Sequence, residues 1–145
     1  MQPVLLPDGS RNPVIVRAHE EWSDYYYKHV RDNLPKVFVE EYEHRDGFHD
    51  YCIEGISIDK SDKETVKLRI DMDDSGKKCS IIYSGVSEFS LICSKVYTEQ
   101  NGDFLGIWNI DEFEKIDSCE FSHDILLAFG ETVRIVFSSI QIHST

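Results

Sequence analysis

Apolar and polar positions alternate strictly through "TVKLRIDM". There Val66, Leu68, Ile70 and Met72 interleave with Thr65, Lys67, Arg69 and Asp71. Successive strand side chains point to opposite faces, so this stretch predicts a half-buried β-strand. Tyr51 to Asp59 predicts a strand before it, joined through the polar "KSDKE". "DDSGKK" turns the chain into a strand at Cys79–Tyr83, and Ser84-Gly85 predicts a break or bulge before Val86–Cys93. Asn101-Gly102 is a strong hairpin signal ahead of Phe104–Ile110, where Trp108 is a large anchor. Near the end, Phe121, His123, Ile125, Leu127 and Phe129 share one face. Gly130-Glu131 turns, and Val133, Ile135 and Phe137 return, with Ile140 and Ile142 extending the pattern.

The N-terminal part follows a different period. Two short apolar runs, residues 3–6 and 13–16, flank the turn-rich "PDGSRN" and predict a small hairpin. In "RAHEEWSDYYYKHVRDNLP", Trp22, Tyr25 or Tyr26, His29 or Val30, and Leu34 recur at three- and four-residue steps, which predicts a helix. Pro35 disfavours helical geometry in Leu34 and so ends it. Pro35 can then open a second, shorter helix through "KVFVEEYEH", with Val37, Phe38 and Tyr42 facing inward, although the β-branched content also allows a strand there. Helices first and strands afterwards argue for an α+β fold. The expectation is a single domain, 1–145, with N-terminal helices (1–45) packed on a curled antiparallel sheet of about six to seven strands (46–145).

Composition narrows the picture. A chain of 145 residues buries roughly 70% of its unfolded surface without staples. The start "MQPVLLPDGSRNP" has neither a basic n-region nor a long apolar stretch, which argues against a signal peptide and for a cytoplasmic address. No apolar run nears the ~20 residues that span a bilayer. Cys52, Cys79, Cys93 and Cys119 form no C-x-x-C pair and no zinc spacing, so buried free thiols are expected. Net charge is −12: residues 1–50 carry 10 acids and 6 bases, 51–100 carry 9 and 7, and 101–145 carry 8 and 2. Such a field repels nucleic acid and anionic membrane and favours a basic partner. Equally, the acids can simply keep the chain in solution.

Two motifs carry candidate chemistry. Phe48-His49-Asp50 and Phe121-Ser122-His123-Asp124 each place His-Asp at a strand opening. A small metal-dependent hydrolase could use His49, Asp50 and His123. However, side chains alternate across a strand, so His49 and Asp50 cannot both reach one ion, nor can His123 and Asp124. A transition metal would also need a third or fourth ligand, for which only His44 is near in sequence. No G-x-S-x-G elbow and no phosphate loop is present. No cofactor is implied. The structural alternative has each imidazole bonding a backbone carbonyl and packing on Phe48 or Phe121, with Asp50 closing an Asx-turn.

The motif order is also similar to that of a group of small bacterial domains of unknown function. These open their β-region with Phe-His-Asp, here Phe48-His49-Asp50. They close with a His-x-Ile-Leu hairpin ending in Ile-x-Phe-x-x-Ile-x-Ile, here His123 to Leu126 and then Ile135 to Ile142. The likeness covers roughly 35–142. Some members of such groups resemble immunity proteins of bacterial toxin systems, which block a toxin by binding and need no catalytic residues. The resemblance thus implies a non-enzymatic protein-binding domain with a basic toxin as partner and charge complementarity steering association. The residues outside the likeness, 1–34, are then available for partner specificity.

The acid-rich "NIDEFEKIDSCE" is the candidate contact. Asp111, Glu112, Glu114, Asp117 and Glu120 surround Phe113 and Ile116, giving an acidic rim with an apolar anchor. The same residues also suit a solvated loop beside a core strand, and a housekeeping domain with no toxin partner has the same composition.

Overall fold

The computed structural model describes residues 19–62, 64–92, 106–128 and 130–144. The expected hairpin over 3–16 and the Asn101-Gly102 turn lie outside them. Helix α1 spans His19–Tyr25 and α2 spans Lys36–His44. Among the described residues eight strands follow: β1 Cys52–Asp59, β2 Lys67–Asp74, β3 Lys77–Ser84, β4 Glu88–Ile92, β5 Gly106–Lys115, β6 Phe121–Leu127, β7 Thr132–Phe137 and β8 Ser139–Ser144. They form one antiparallel sheet in the order β4-β7-β6-β5-β1-β2-β3-β8, which does not close into a barrel. No helix among the described residues is long and apolar enough to cross a membrane.

The α+β class and the order of helices before strands match the sequence expectation, with a strand more than the six to seven expected. The extra strand comes from Ser138. The continuous apolar pattern 133–142 divides there, and its halves join opposite ends of the sheet, β7 beside β4 and β8 beside β3. The β3–β4 connection crosses at the same corner. Ser138 donates its backbone N–H to the Ser84 carbonyl at 3.0 Å, and Ser87 N–H donates to Val136 at 2.9 Å. Gly85 sits at the crossing with φ +65°, a left-handed value that favours glycine. Both long runs thus bend together, and the sheet curls until its interior faces itself.

The first helix is shorter than expected. After Tyr25 the chain widens into a π-helical turn, Tyr26–Val30, and then a 3₁₀ turn, Arg31–Asn33. The pattern explains it. Trp22, Tyr26, Val30 and Leu34 recur every four residues, slightly more than a regular turn holds. A wider turn keeps all four on the core side, where Tyr26, Val30 and Leu34 are buried and Trp22 packs against them. Helix α2 begins after Pro35 as expected. Phe38 and Tyr42 face inward, but Val37 is 67% exposed and Val39 takes the buried place.

The helices lie against the inner face of the sheet. Phe38 and Tyr42 meet Phe113 of β5 edge-on, with ring centroids 5.9 and 5.5 Å apart. Leu68, Ile70, Ile81, Tyr83, Ile125, Ile135 and Phe137 supply the rest of that face, all fully buried. Burying each such side chain contributes about 1.5–3 kcal/mol. The core is therefore a layer between the two helices and the concave side of one curled sheet.

Candidate functional site

β5 positions the polar centre of this core through one irregularity. Trp108 pairs with Leu127 and Ile110 with Leu126, so Asn109 is an extra residue in the strand. Without it, Asp111 would face away from the side that Trp108 occupies, because a one-residue slip reverses every side chain. With it, Trp108, Asp111 and Phe113 all face inward. Asp111 is 7% exposed and Phe113 is fully buried.

His123 of β6 lies opposite Phe113 in the register. Their rings stack at 3.8 Å and 12°, a contact of about 0.5–1.5 kcal/mol beyond the area it buries. His123 Nε2 sits 2.7 Å from Asp111 Oδ2, and its Nδ1 sits 2.7 Å from the Tyr83 hydroxyl. Tyr42 of α2 donates its hydroxyl to the same carboxylate, 2.9 Å from Oδ2 and 3.1 Å from Oδ1. One proton arrangement satisfies every group: Tyr83 O–H into Nδ1, Nε2–H into Asp111, and Tyr42 O–H into Asp111. Burial, followed by the charge of Asp111, holds both phenols well above their usual range, so both stay donors. The four side chains come from α2, β3, β5 and β6 and form one buried chain, Tyr42–Asp111–His123–Tyr83.

Asp111 also forms part of the floor of a cleft of about 620 Å³ between the helical segment and β5. Trp22, Tyr26 and Tyr27 line the helical side, and Asp46 and His49 line the turn that leads into β1. That turn is unusual. Asp46, Gly47, Phe48 and Asp50 all have positive φ, at 56°, 66°, 63° and 68°. A buried Phe48 holds it in place, with its ring 5.3 Å from Trp108 and 5.7 Å from Tyr42. Such backbone conformations persist only when the surroundings over-determine them. Three local irregularities therefore meet at the cleft: the π turn at Tyr26, the left-handed turn at Asp46–Phe48, and the bulge at Asn109.

The two His-Asp pairs have different fates. His49 is half-exposed and donates Nδ1–H to the Asn109 carbonyl at 2.7 Å, the backbone bond expected of it. His123 uses side-chain partners instead and stacks on Phe113 rather than on Phe121. Both its ring nitrogens are engaged, which leaves no lone pair for a metal. Among the described residues no group of three or more His, Cys, Asp and Glu is arranged to hold an ion. Asp50 is exposed, and no Asx-turn forms there; its backbone N–H donates to the Trp108 carbonyl at 2.8 Å. Asp124 turns to the outer face, as strand alternation requires. There Arg134 Nη1 reaches both its oxygens at 3.0 Å.

The acidic candidates divide the same way. Strand β5 runs on to Lys115, well past the Ile110 end expected, so Asp111, Glu112 and Phe113 are buried strand residues rather than an exposed anchor and rim. Glu114 and Glu120 are half-buried, and Asp117 is exposed at the β5–β6 turn beside Ile116, which is 46% exposed. Buried free thiols hold for Cys79 only: Cys52 is half-buried, Cys119 is exposed, and Cys93 lies outside the described residues.

Sequence reasoning passed over Tyr42 and Tyr83 as polar groups. Each sits at an apolar position of an amphipathic element, where a phenol counts as core. Comparison of the chain with protein-family models and with curated proteins found no match.

Proposed function

We propose that this is a non-enzymatic protein-binding domain of the cytoplasm, acting as an immunity protein that neutralises a basic bacterial toxin. The observation that carries this reading is how β5 distributes its carboxylates. The strand keeps Asp111 and Glu112 buried in the fold and then leads into a turn where Glu114, Asp117 and Glu120 flank the exposed Ile116. An acidic surface with an apolar anchor complements a domain whose own cleft is built for phosphates. The buried Asp111–His123 pair supports the same reading, since its bonds are spent within the fold.

Two measurements test it. An immunity gene lies beside its toxin gene, and the purified chain should retain the basic product of that neighbour. With the partner in hand, Glu114→Lys, Asp117→Lys and Glu120→Lys together should cut the association rate about tenfold or more at low salt. A neighbour with no basic product, or no complex with it, overturns the reading. An unchanged rate moves the contact away from the β5–β6 turn.

A further inference from the structure

We propose that His49 and Asp50 form a divalent transition-metal site, fitted to zinc, on the turn that leads into β1. The site is independent of the protein-binding reading above.

The backbone makes the pair. Side chains alternate only once a strand has begun, and β1 begins at Cys52. Asp50 precedes it with φ 68°, in the left-handed region. His49 Nε2 and Asp50 Oδ1 consequently lie on one side of the turn, 3.6 Å apart. An ion about 2.1 Å from each donor would see them roughly 120° apart, close to the tetrahedral angle that zinc prefers. The alternation that would set the two side chains on opposite faces therefore does not hold here.

The imidazole is prepared as a ligand. Its Nδ1–H donates to the Asn109 carbonyl at 2.7 Å, which fixes the neutral tautomer with its lone pair on Nε2. Ligating histidines make this second bond almost without exception, and it sets the ring orientation. Asn109 is the extra residue of the β5 bulge, so that bulge supplies the carbonyl. Phe48 is fully buried and anchors the turn, with its ring against Trp108 and Tyr42. Both donors are exposed, so an ion reaches them from solvent.

An ion pair alone does not account for this arrangement. Exposed pairs add little to stability, yet three non-glycine residues, Asp46, Phe48 and Asp50, are held at positive φ. Bringing two donors to one point gives that backbone a use. An imidazole beside a carboxylate suits zinc, whereas magnesium and calcium take oxygen donors. Two protein donors leave the other positions to water, so binding is weaker than at a closed zinc site.

The test is a titration of the full chain with zinc chloride. It uses a Cys119→Ser background, because Cys119 is exposed and a thiolate competes for zinc. The readouts are the His49 ring nitrogens and the amides of 46–51 and 108–110 by NMR. Saturable shifts confined to these groups are expected, with no response to magnesium at the same concentration. His49→Ala and Asp50→Asn should each weaken zinc binding at least about tenfold. Asn tolerates the left-handed backbone at 50, so Asp50→Asn keeps the turn, and unaltered amides elsewhere will show it. His44→Ala, in the neighbouring cleft that His49 also lines, should bind as the parent does. No saturable shift, an equal response to magnesium, full affinity in either ligand variant, or a comparable loss in His44→Ala overturns the site.

Discussion

His123 Nδ1 meets the Tyr83 hydroxyl at 2.7 Å across the interior of the sheet, not along it. In the sheet, β6 and β3 are separated by β5, β1 and β2, so this bond exists only because the sheet curls. It ties the curl at its centre, as the Gly85–Ser138 corner ties it at one end. Tyr83→Phe keeps the ring and removes the donor, stranding an imidazole nitrogen in the core. A loss of about 1–3 kcal/mol is expected in urea denaturation. His123→Phe strands the Asp111 carboxylate and should cost more, about 3–5 kcal/mol. The double variant should lose less than the sum of the two, because both remove one bond. Strict additivity would show that the contact contributes nothing.

Gly85 offers a second check on the curl. A Cβ there would overlap Ser138 Oγ, and φ is already +65°. Gly85→Ala should therefore lose about 2 kcal/mol or more from strain at a left-handed position and overlap at the corner. In a Ser138→Ala background part of the loss should return, since the overlap goes while the backbone strain stays. Gly55→Ala, with nothing within 4 Å of its added Cβ, should leave the melting temperature nearly unchanged.

Strand periodicity was legible because each strand has one buried face. The parity of Val66 to Met72 and of Phe121 to Leu127 survives in the register unchanged. Three features were not legible, and each is a departure from a period. The Asn109 bulge hides the shared face of Trp108 and Asp111, since their three-residue spacing looks out of phase for a strand. At Ser138 the inward positions shift from odd (Val133, Ile135, Phe137) to even (Ile140, Ile142), a change of phase that the near-continuous apolar content of 133–142 conceals. The four-residue recurrence from Trp22 to Leu34 passes for an ordinary helix, although it calls for a wider turn. The buried polar chain was missed for the same reason. Asp111 sits in an acidic run that suggests surface, and only its partners on α2, β3 and β6 show that it is core.

Thiol reactivity should separate the cysteines. Cys119 is exposed at the β5–β6 turn, while Cys79 is 2% exposed and burial pushes its thiol up. Burial also raises Cys52, with Asp73, Asp74 and Glu54 adding to the shift. The thiolate is the reactive form. Alkylation of the native chain, mapped by peptide mass, should therefore mark Cys119 before Cys52, and Cys79 only after unfolding. Early labelling of Cys79 would mean that the β3–β8 end of the sheet opens in the native state.

Asp124 should make stability depend on pH near neutrality. It is 3% exposed, and burial pushes its carboxyl from 3.8 to about 7 against the opposing pull of Arg134. Below about pH 4 the group is protonated in both states and contributes no penalty. Between 4 and 7 the unfolded chain ionises it and the folded chain does not, so the folded state binds more protons. Stability then falls as pH rises through this window and levels off above it. Arg134 offsets part of the cost and is itself shared with Glu88, whose oxygen accepts from its Nε at 2.8 Å. Asp124→Asn removes the titration and should flatten the melting temperature between pH 5 and 8. Arg134→Leu takes away the counter-charge and should steepen the decline, losing about 3 kcal/mol at pH 8. The comparison must be made between variants across the same pH series, because other carboxylates titrate at the acid end. Equal slopes for the parent chain and Asp124→Asn would show that Asp124 keeps an ordinary carboxyl and that the Arg134 pair fully compensates its burial.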